Sequence, residues 1–298
     1  TTEIYTLSLH DALPILNCQR DSRLELGSAS SAVGPGPDRA CAAGLTRQGG
    51  AIVRGPTDCR RLALVFTGHE FAEGGPAILD ALERHRARAS FFLTGDFLAN
   101  PEFGSLVRRM VRDGHYVGPH SDKHLLYCDW GAERRTLVTR RVFRDDLDAN
   151  YRKLAAFGVS RRAAPVFLPP YEHFNADVAR WTRELGLTLV NYTPGTRSTA
   201  DYTGEPDANF TSSEAIFESI VRREGADPHG LNGYLLLLHL GAGPGRADKM
   251  HSRFDALLDW LEGRGYACVR VDELLTRKSH PWGDRGIPDG PRVRFPGL

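Results

Sequence analysis

Paired cysteines are missing from this sequence: its five cysteines, Cys18, Cys41, Cys59, Cys128 and Cys268, are scattered, include no C-x-x-C spacing and make an odd total. That argues against a disulfide framework and a structural zinc site, and leaves the redox compartment open. An excess of one charge is missing too, since 38 Lys and Arg face 37 Asp and Glu with no long single-sign run. Composition therefore announces neither a nucleic acid nor an anionic membrane surface as partner, and a neutral one is expected. No apolar run reaches the roughly 18 residues that a membrane span requires. What remains is ordinary: 298 residues, 41% hydrophobic and 25% charged, enough for one large α/β domain with a sizeable core.

Helical and strand periods are absent from the start of the chain. Residues 1–17, TTEIYTLSLHDALPILN, resemble the translation of a sequencing adapter, and the Ser-, Gly-, Pro-, Ala- and Arg-rich run to about Gly49 has the composition of an unfolded or out-of-frame segment. Residues 1–49 are expected to be a leader outside the fold, 50–278 to form one domain, and 279–298 to be a loose tail. Any targeting signal would be lost with the natural N-terminus.

Beyond the leader, short apolar runs alternate with amphipathic stretches. Leu62 to Phe66 reads as a strand buried on both faces and ends in Thr67-Gly68-His69-Glu70; Ala89 to Leu93 is the next and ends in Thr94-Gly95-Asp96. Further strands are expected at His115 to Gly118, Val166 to Leu168, Leu187 to Tyr192, Tyr234 to Leu238 and Tyr266 to Val271. Between them, Pro76 opens a helix, Asn100-Pro101 and Asn175 cap two more, Thr139 to Phe157 forms a long polar one, Thr211-Ser212-Ser213-Glu214 matches a capping box, and Phe254, Leu257, Leu258 and Leu261 mark the last. Seven such units predict a parallel sheet, open or closed into a barrel, with its site at the carboxyl ends of the strands.

The polar residues obey that rule. His69, Glu70, Asp96, His120, His124, Tyr171 and His239 all fall just past an expected strand. His120 and His124 share one short loop, and neutral imidazole is a common ligand of divalent metals. Phe174, Tyr192, Tyr202 and Trp130 could offer flat apolar surface, with Trp130, close after His124, at the rim. Trp181 falls on the apolar stripe of its helix and is expected in the core.

Over roughly residues 50–275 the chain resembles the polysaccharide deacetylase family, the NodB-homology domain of carbohydrate esterase family 4. The residues that carry the resemblance are His120-Ser121-Asp122-Lys123-His124 for the family's H-S-x-x-H motif, Leu168-Pro169-Pro170-Tyr171 for R-x-P-Y, Asp201-Tyr202 for an Asp-and-aromatic segment, and Leu236-Leu237-Leu238-His239 for L-x-L-H. The resemblance implies a distorted (β/α)7 barrel and a metal-dependent hydrolase removing N- or O-linked acetyl groups from an acetylated glycan, secreted, periplasmic or on the cell surface. It further implies a divalent ion, zinc or alternatively cobalt or nickel, on His120 and His124, with His239 as general acid and the Tyr171 N–H as oxyanion donor. Pro170, Tyr171, Glu172, Trp130, Arg197 and Asp201 are the expected substrate contacts.

Two departures bear on the chemistry. Where the family has Phe-Asp-Asp this chain has Phe66-Thr67-Gly68, which removes the usual base and the usual carboxylate ligand, and Leu168 replaces the arginine that holds that base. Losing both together is coherent, because an arginine without its anion would be a buried unpaired charge. His69 is the expected replacement ligand and Glu70 the expected base. In the alternative, Glu70 coordinates the ion while Asp96 or Glu172 takes the proton. Two other readings stay open: a catalytically impaired carbohydrate-binding barrel, and a hydrolase of another amide or ester on the same fold.

Overall fold

The computed structural model describes residues 44–276. A hairpin comes first, β1 (Thr46–Gln48) and β2 (Ala51–Arg54), turned through Gly49 and Gly50, both at positive φ. Ordered chain thus begins inside the stretch assigned to the leader, and Leu45 already packs against the core. The remainder of that stretch, 1–43, and the tail lie outside the described residues.

β3 (Arg61–Gly68) is buried at every position after Arg61, as a strand covered on both faces must be. It occupies the centre of a parallel sheet. β4 (Ala89–Leu93) lies on one side with β5 (Tyr116–Pro119) beyond it, β8 (Leu235–His239) lies on the other, and β9 (Ala267–Cys268) joins at Arg61 and Leu62. β6 (Val166–Phe167) and β7 (Thr188–Leu189) form a separate parallel pair. Side chains bridge the gaps where the ladder is missing. The Tyr116 hydroxyl donates to Val166 O and accepts from Val166 N–H, both at 2.8 Å, joining β5 to β6. Past β7, the Thr193 N–H reaches Leu235 O at 3.0 Å and its Oγ1 accepts from Leu235 N–H at 2.9 Å. Seven parallel strands thereby close into a distorted (β/α)7 barrel.

The helices outside the wall are α1 (Gly75–Arg84), α2 (Gly95–Ala99), α3 (Gly104–Arg112), α4 (Arg140–Ala155), α5 (Ala176–Glu184), α6 (Ser213–Ala226), α7 (Phe254–Gly263) and α8 (Val271–Leu275). Thr94, Thr139 and Asn175 cap α2, α4 and α5 through side-chain oxygens. Three expectations are corrected. Ser212 caps α6, on Ala215 N–H, so the Thr211/Glu214 box does not form. Val271 starts α8 instead of ending a strand. Cys59 is disulfide-bonded, while Cys128 and Cys268 are free. Trp181 is buried against Phe143. Among the described residues no helix is long and apolar enough to cross a membrane.

Candidate active site

The histidine loop is shaped from outside itself. β5 delivers it, and helix α4 grips it: Asp146 accepts the N–H groups of Asp122 and Lys123 at 3.1 Å and the Tyr127 hydroxyl at 2.7 Å, while Asn150 Nδ2 donates to Leu93 O and Ser121 O at 2.9 and 2.7 Å. These anchors hold Ser121 and His124 at φ of 71° and 51°, conformations that non-glycine residues adopt at a cost of order 1 kcal/mol or more. Sequence reading missed Asp146 and Asn150. A signal existed: both sit on the buried stripe of α4 with Phe143, Leu147, Tyr151 and Leu154, where an amphipathic helix should carry apolar residues.

His120 Nδ1 donates to Leu168 O at 2.9 Å, which fixes the tautomer and leaves the Nε2 lone pair available. The His124 ring lies 5.2 Å from it, tilted by 50°. Burial, reinforced by neighbouring imidazoles, pushes their pKa values down to about 3 and about 2, so both rings are neutral donors. His69 is brought to the same place, its Nδ1 3.2 Å from Thr94 Oγ1, but its ring stacks on His124 at 4.4 Å and 22°. In-plane lone pairs on near-parallel stacked rings run side by side and do not converge. Among the described residues, accordingly, no three His, Cys, Asp or Glu close into a group that could hold an ion. His120 and His124 offer two neutral nitrogen donors of the kind a divalent metal takes, and His69, as placed, does not add a third.

His239 is held differently. Its Nδ1–H donates to Asp201 Oδ1 at 2.6 Å while its backbone N–H donates to Oδ2 of the same carboxylate at 2.9 Å. Burial alone would lower the pKa of this imidazole; Asp201, helped by Glu172, overcomes that and raises it. The sheet register puts the two groups on one rim: Thr67 pairs with His239 on one side and Phe92 on the other, and Phe92 pairs with Gly118, two residues before His120. Tyr202 covers the His239 ring at 4.9 Å.

The remaining candidates divide. Glu172 is half-buried at φ 53° beside Tyr171 at φ 58°, and burial pushes its carboxyl up to about 7. Pro170 is buried, and Tyr171 bridges from His124, 4.3 Å away, to Trp130, which meets it edge-on at 6.0 Å and stacks on His173. Glu70 stands at the mouth, 68% exposed, with Oε1 3.9 Å from His69 Nε2. The Asp96 carboxylate is taken up by Lys123. Arg197 contributes its backbone N–H to Ser219 Oγ at 2.9 Å.

At Gly68, one of the two positions where the family's aspartates fall, there is little room for a side chain. A Cβ on Gly68 would meet Leu240 and Leu93 at 2.9 Å and Phe97 at 3.0 Å, and Leu168 is buried in the core. Apolar side chains thus surround Gly68, and an apolar residue stands at 168.

Fold and rim together define a (β/α)7 barrel with a histidine-bearing mouth. The chain belongs to the polysaccharide deacetylase family, whose model, described as Polysaccharide deacetylase, matches residues 54–190. It is 32% identical over 216 residues to a chitooligosaccharide deacetylase of Bradyrhizobium sp. (strain ANU 289), covering 67% of this chain and 83% of that one. It is 26% identical over 224 residues to a peptidoglycan-N-acetylglucosamine deacetylase of Listeria monocytogenes, covering 74% of this chain but only 40% of that protein's length. Among solved structures it is similar in fold to a family 4 carbohydrate esterase of Bacillus subtilis (TM-score 0.60, 22% identity, 75% of this chain and 84% of that one). A second likeness in fold is to a CE4 family pseudoenzyme of Bacillus anthracis (TM-score 0.59, 20% identity, 78% and 70%).

Proposed function

We propose that this chain removes acetyl groups, N- or O-linked, from a polysaccharide or oligosaccharide. The observation that carries the reading is the His239–Asp201 pair, set within electrostatic reach of the buried His120 and the half-buried His124. A divalent ion, zinc or else cobalt or nickel, would be held by His120 and His124 with His69 as third donor, and when bound it polarises the acetyl carbonyl and activates water. All other tasks fall to side chains. His239, with Nδ1–H fixed on Asp201, presents a proton to the leaving nitrogen or oxygen. Glu172 suits the role of base, because a carboxyl that titrates near neutrality both takes and returns a proton readily. Glu70 competes for that role, standing beside His69 with its charge reaching the Tyr171 hydroxyl. The Tyr171 N–H would receive the oxyanion.

Sugar recognition is supported by the aromatic mouth: of the six exposed large hydrophobic residues among the described ones, Trp130, Tyr171 and Tyr202 each lie against a histidine ring. An acetylated glycan of the wall or matrix places the chain outside the cytoplasm, secreted, periplasmic or on the cell surface. A second reading, a glycan-binding barrel without hydrolysis, is favoured by the closed space at Gly68. Acetate release and metal content, measured on acetylated oligosaccharides with wild type, Glu172→Gln and Glu70→Gln, decide between them. Release lost in Glu172→Gln alone, with metal retained, supports that base. Glycan binding by the wild type with neither acetate nor metal supports the second reading.

A further inference from the structure

A guanidinium without exposed surface is costly unless each donor is met, and Arg246 is such a group, 0% exposed. It lies in the loop between β8 and α7, shortly after His239. Its carboxylate neighbour is distant: Asp248 Oδ2 is 3.8 Å away and accepts from the Ser213 N–H at 2.6 Å. The donors go mainly to main-chain carbonyls. Nη1 reaches Thr203 O at 2.8 Å and Ala200 O at 3.4 Å, Nη2 reaches Thr211 O at 3.0 Å and Ser213 Oγ at 3.2 Å, and Nε donates to Asp248 O. Ala200 and Thr203 bracket Asp201 and Tyr202, the two residues that meet the His239 ring. The same two loops are laced in the other direction. The exposed Glu205 carboxylate accepts the N–H groups of Ala247 and Asp248 at 2.9 and 2.8 Å, and Gly204 passes so close that a Cβ there would meet Gly245 O at 2.4 Å.

We propose that Arg246, assisted by Glu205, is a positioning residue for the proton donor: it fixes the Asp201–Tyr202 turn against the loop leaving β8, so that one carboxylate meets both the ring and the backbone N–H of His239. The consequence for catalysis rests on the reading of His239 as general acid; the positioning itself does not. A rigid planar fork of five donors is needed to reach carbonyls lying in several directions, which the point charge of lysine cannot do.

The test compares the full chain with Arg246→Lys and with Glu205→Gln. The His239 ring is followed by long-range proton–nitrogen NMR, assigned by its loss in His239→Asn. At a pH above that of His239 titration, where the ring is neutral, wild type should show one tautomer with the proton on Nδ1; Arg246→Lys should stay folded but show averaged tautomers. Acetate release should fall about tenfold or more in kcat with KM little changed, and adding Arg246→Lys to Asp201→Asn should cost nothing further, as residues acting through one another are non-additive. A folded Arg246→Lys with wild-type His239 signals, or losses that add to those of Asp201→Asn, overturns the proposal. If no form of the chain releases acetate, the proposed activity fails while the NMR comparison still decides the positioning. If Arg246→Lys does not fold, Glu205→Gln is read in the same way, and unchanged signals there overturn the proposal.

Discussion

The two histidine groups of the rim share one mouth and are held in opposite ways. His239 sits on a carboxylate that binds both its ring and its backbone, and its affinity for a proton rises. His120, buried, and His124, half-buried, have imidazoles and a carbonyl for company, and theirs falls to about 3 and about 2. Identical side chains are thereby sorted into one that holds a proton more firmly and two that stay neutral. The sorting agent is the presence or absence of one buried anion.

Removing that anion should have the largest effect. Asp201→Asn keeps the shape but takes away the charge, and acetate release should fall about 10²- to 10⁴-fold, the range for lost general acid catalysis. An activity within twofold of wild type would end the assignment of His239 as the acid. Next comes an attempt to make the rebuilt end of β3 resemble its relatives. Gly68→Asp forces a carboxylate among Leu93, Phe97 and Leu240, and should cost roughly 2–4 kcal/mol in thermal unfolding without adding a metal ligand. Tighter zinc binding by that variant would show that the closed space yields.

The pH dependence sharpens the contrast. Unfolded, His120 and His124 bind protons at their ordinary value of 6.5; folded, they do so only near 3 and 2, so the unfolded chain holds more protons in between. Their contribution to metal-free stability is complete above 6.5 and is lost as pH falls below it, a slope that urea titrations at successive pH values should show and that His124→Ala should reduce. Catalysis has the other dependence. With Glu172 as the proposed base and His239 as the proposed acid, acetate release should show an acid limb near 7 and an alkaline limb above the usual histidine value; an acid limb well below 7 would point to Glu70 instead. The smallest effect belongs to Trp130→Ala at the outer wall, where loss of about 1 kcal/mol of ring contact should raise KM some fivefold and leave kcat alone.

How much of this could be read along the chain depended on whether the signal was local. Ala89–Leu93 matches the expected strand residue for residue, because a strand covered on both faces is nearly all apolar; its one polar residue, the buried Ser90, accepts the Val271 N–H. β7 and β9 are only two residues long, and the apolar residues beside them are held by isolated hydrogen bonds that leave no mark on the pattern. α8 is too short to display a period. The loop His120–His124 was legible from spacing. Asp146 and Asn150 were not seen in that role, since they lie on a helix beyond the loop and only the fold returns them to it.

Sequence by itself settled the alternation of strands and helices, the rim on which the polar residues gather, and the presence of Thr67 and Gly68 in place of carboxylates at the end of the first barrel strand, because each is a property of residue types in order. Tertiary structure alone decided that His69 stacks on His124, that Leu93, Phe97 and Leu240 fill the place of a carboxylate, and that Asp201 crosses to His239. Those outcomes turn on ångström distances between segments far apart in the chain, and burial and charge act through such distances without regard to sequence order.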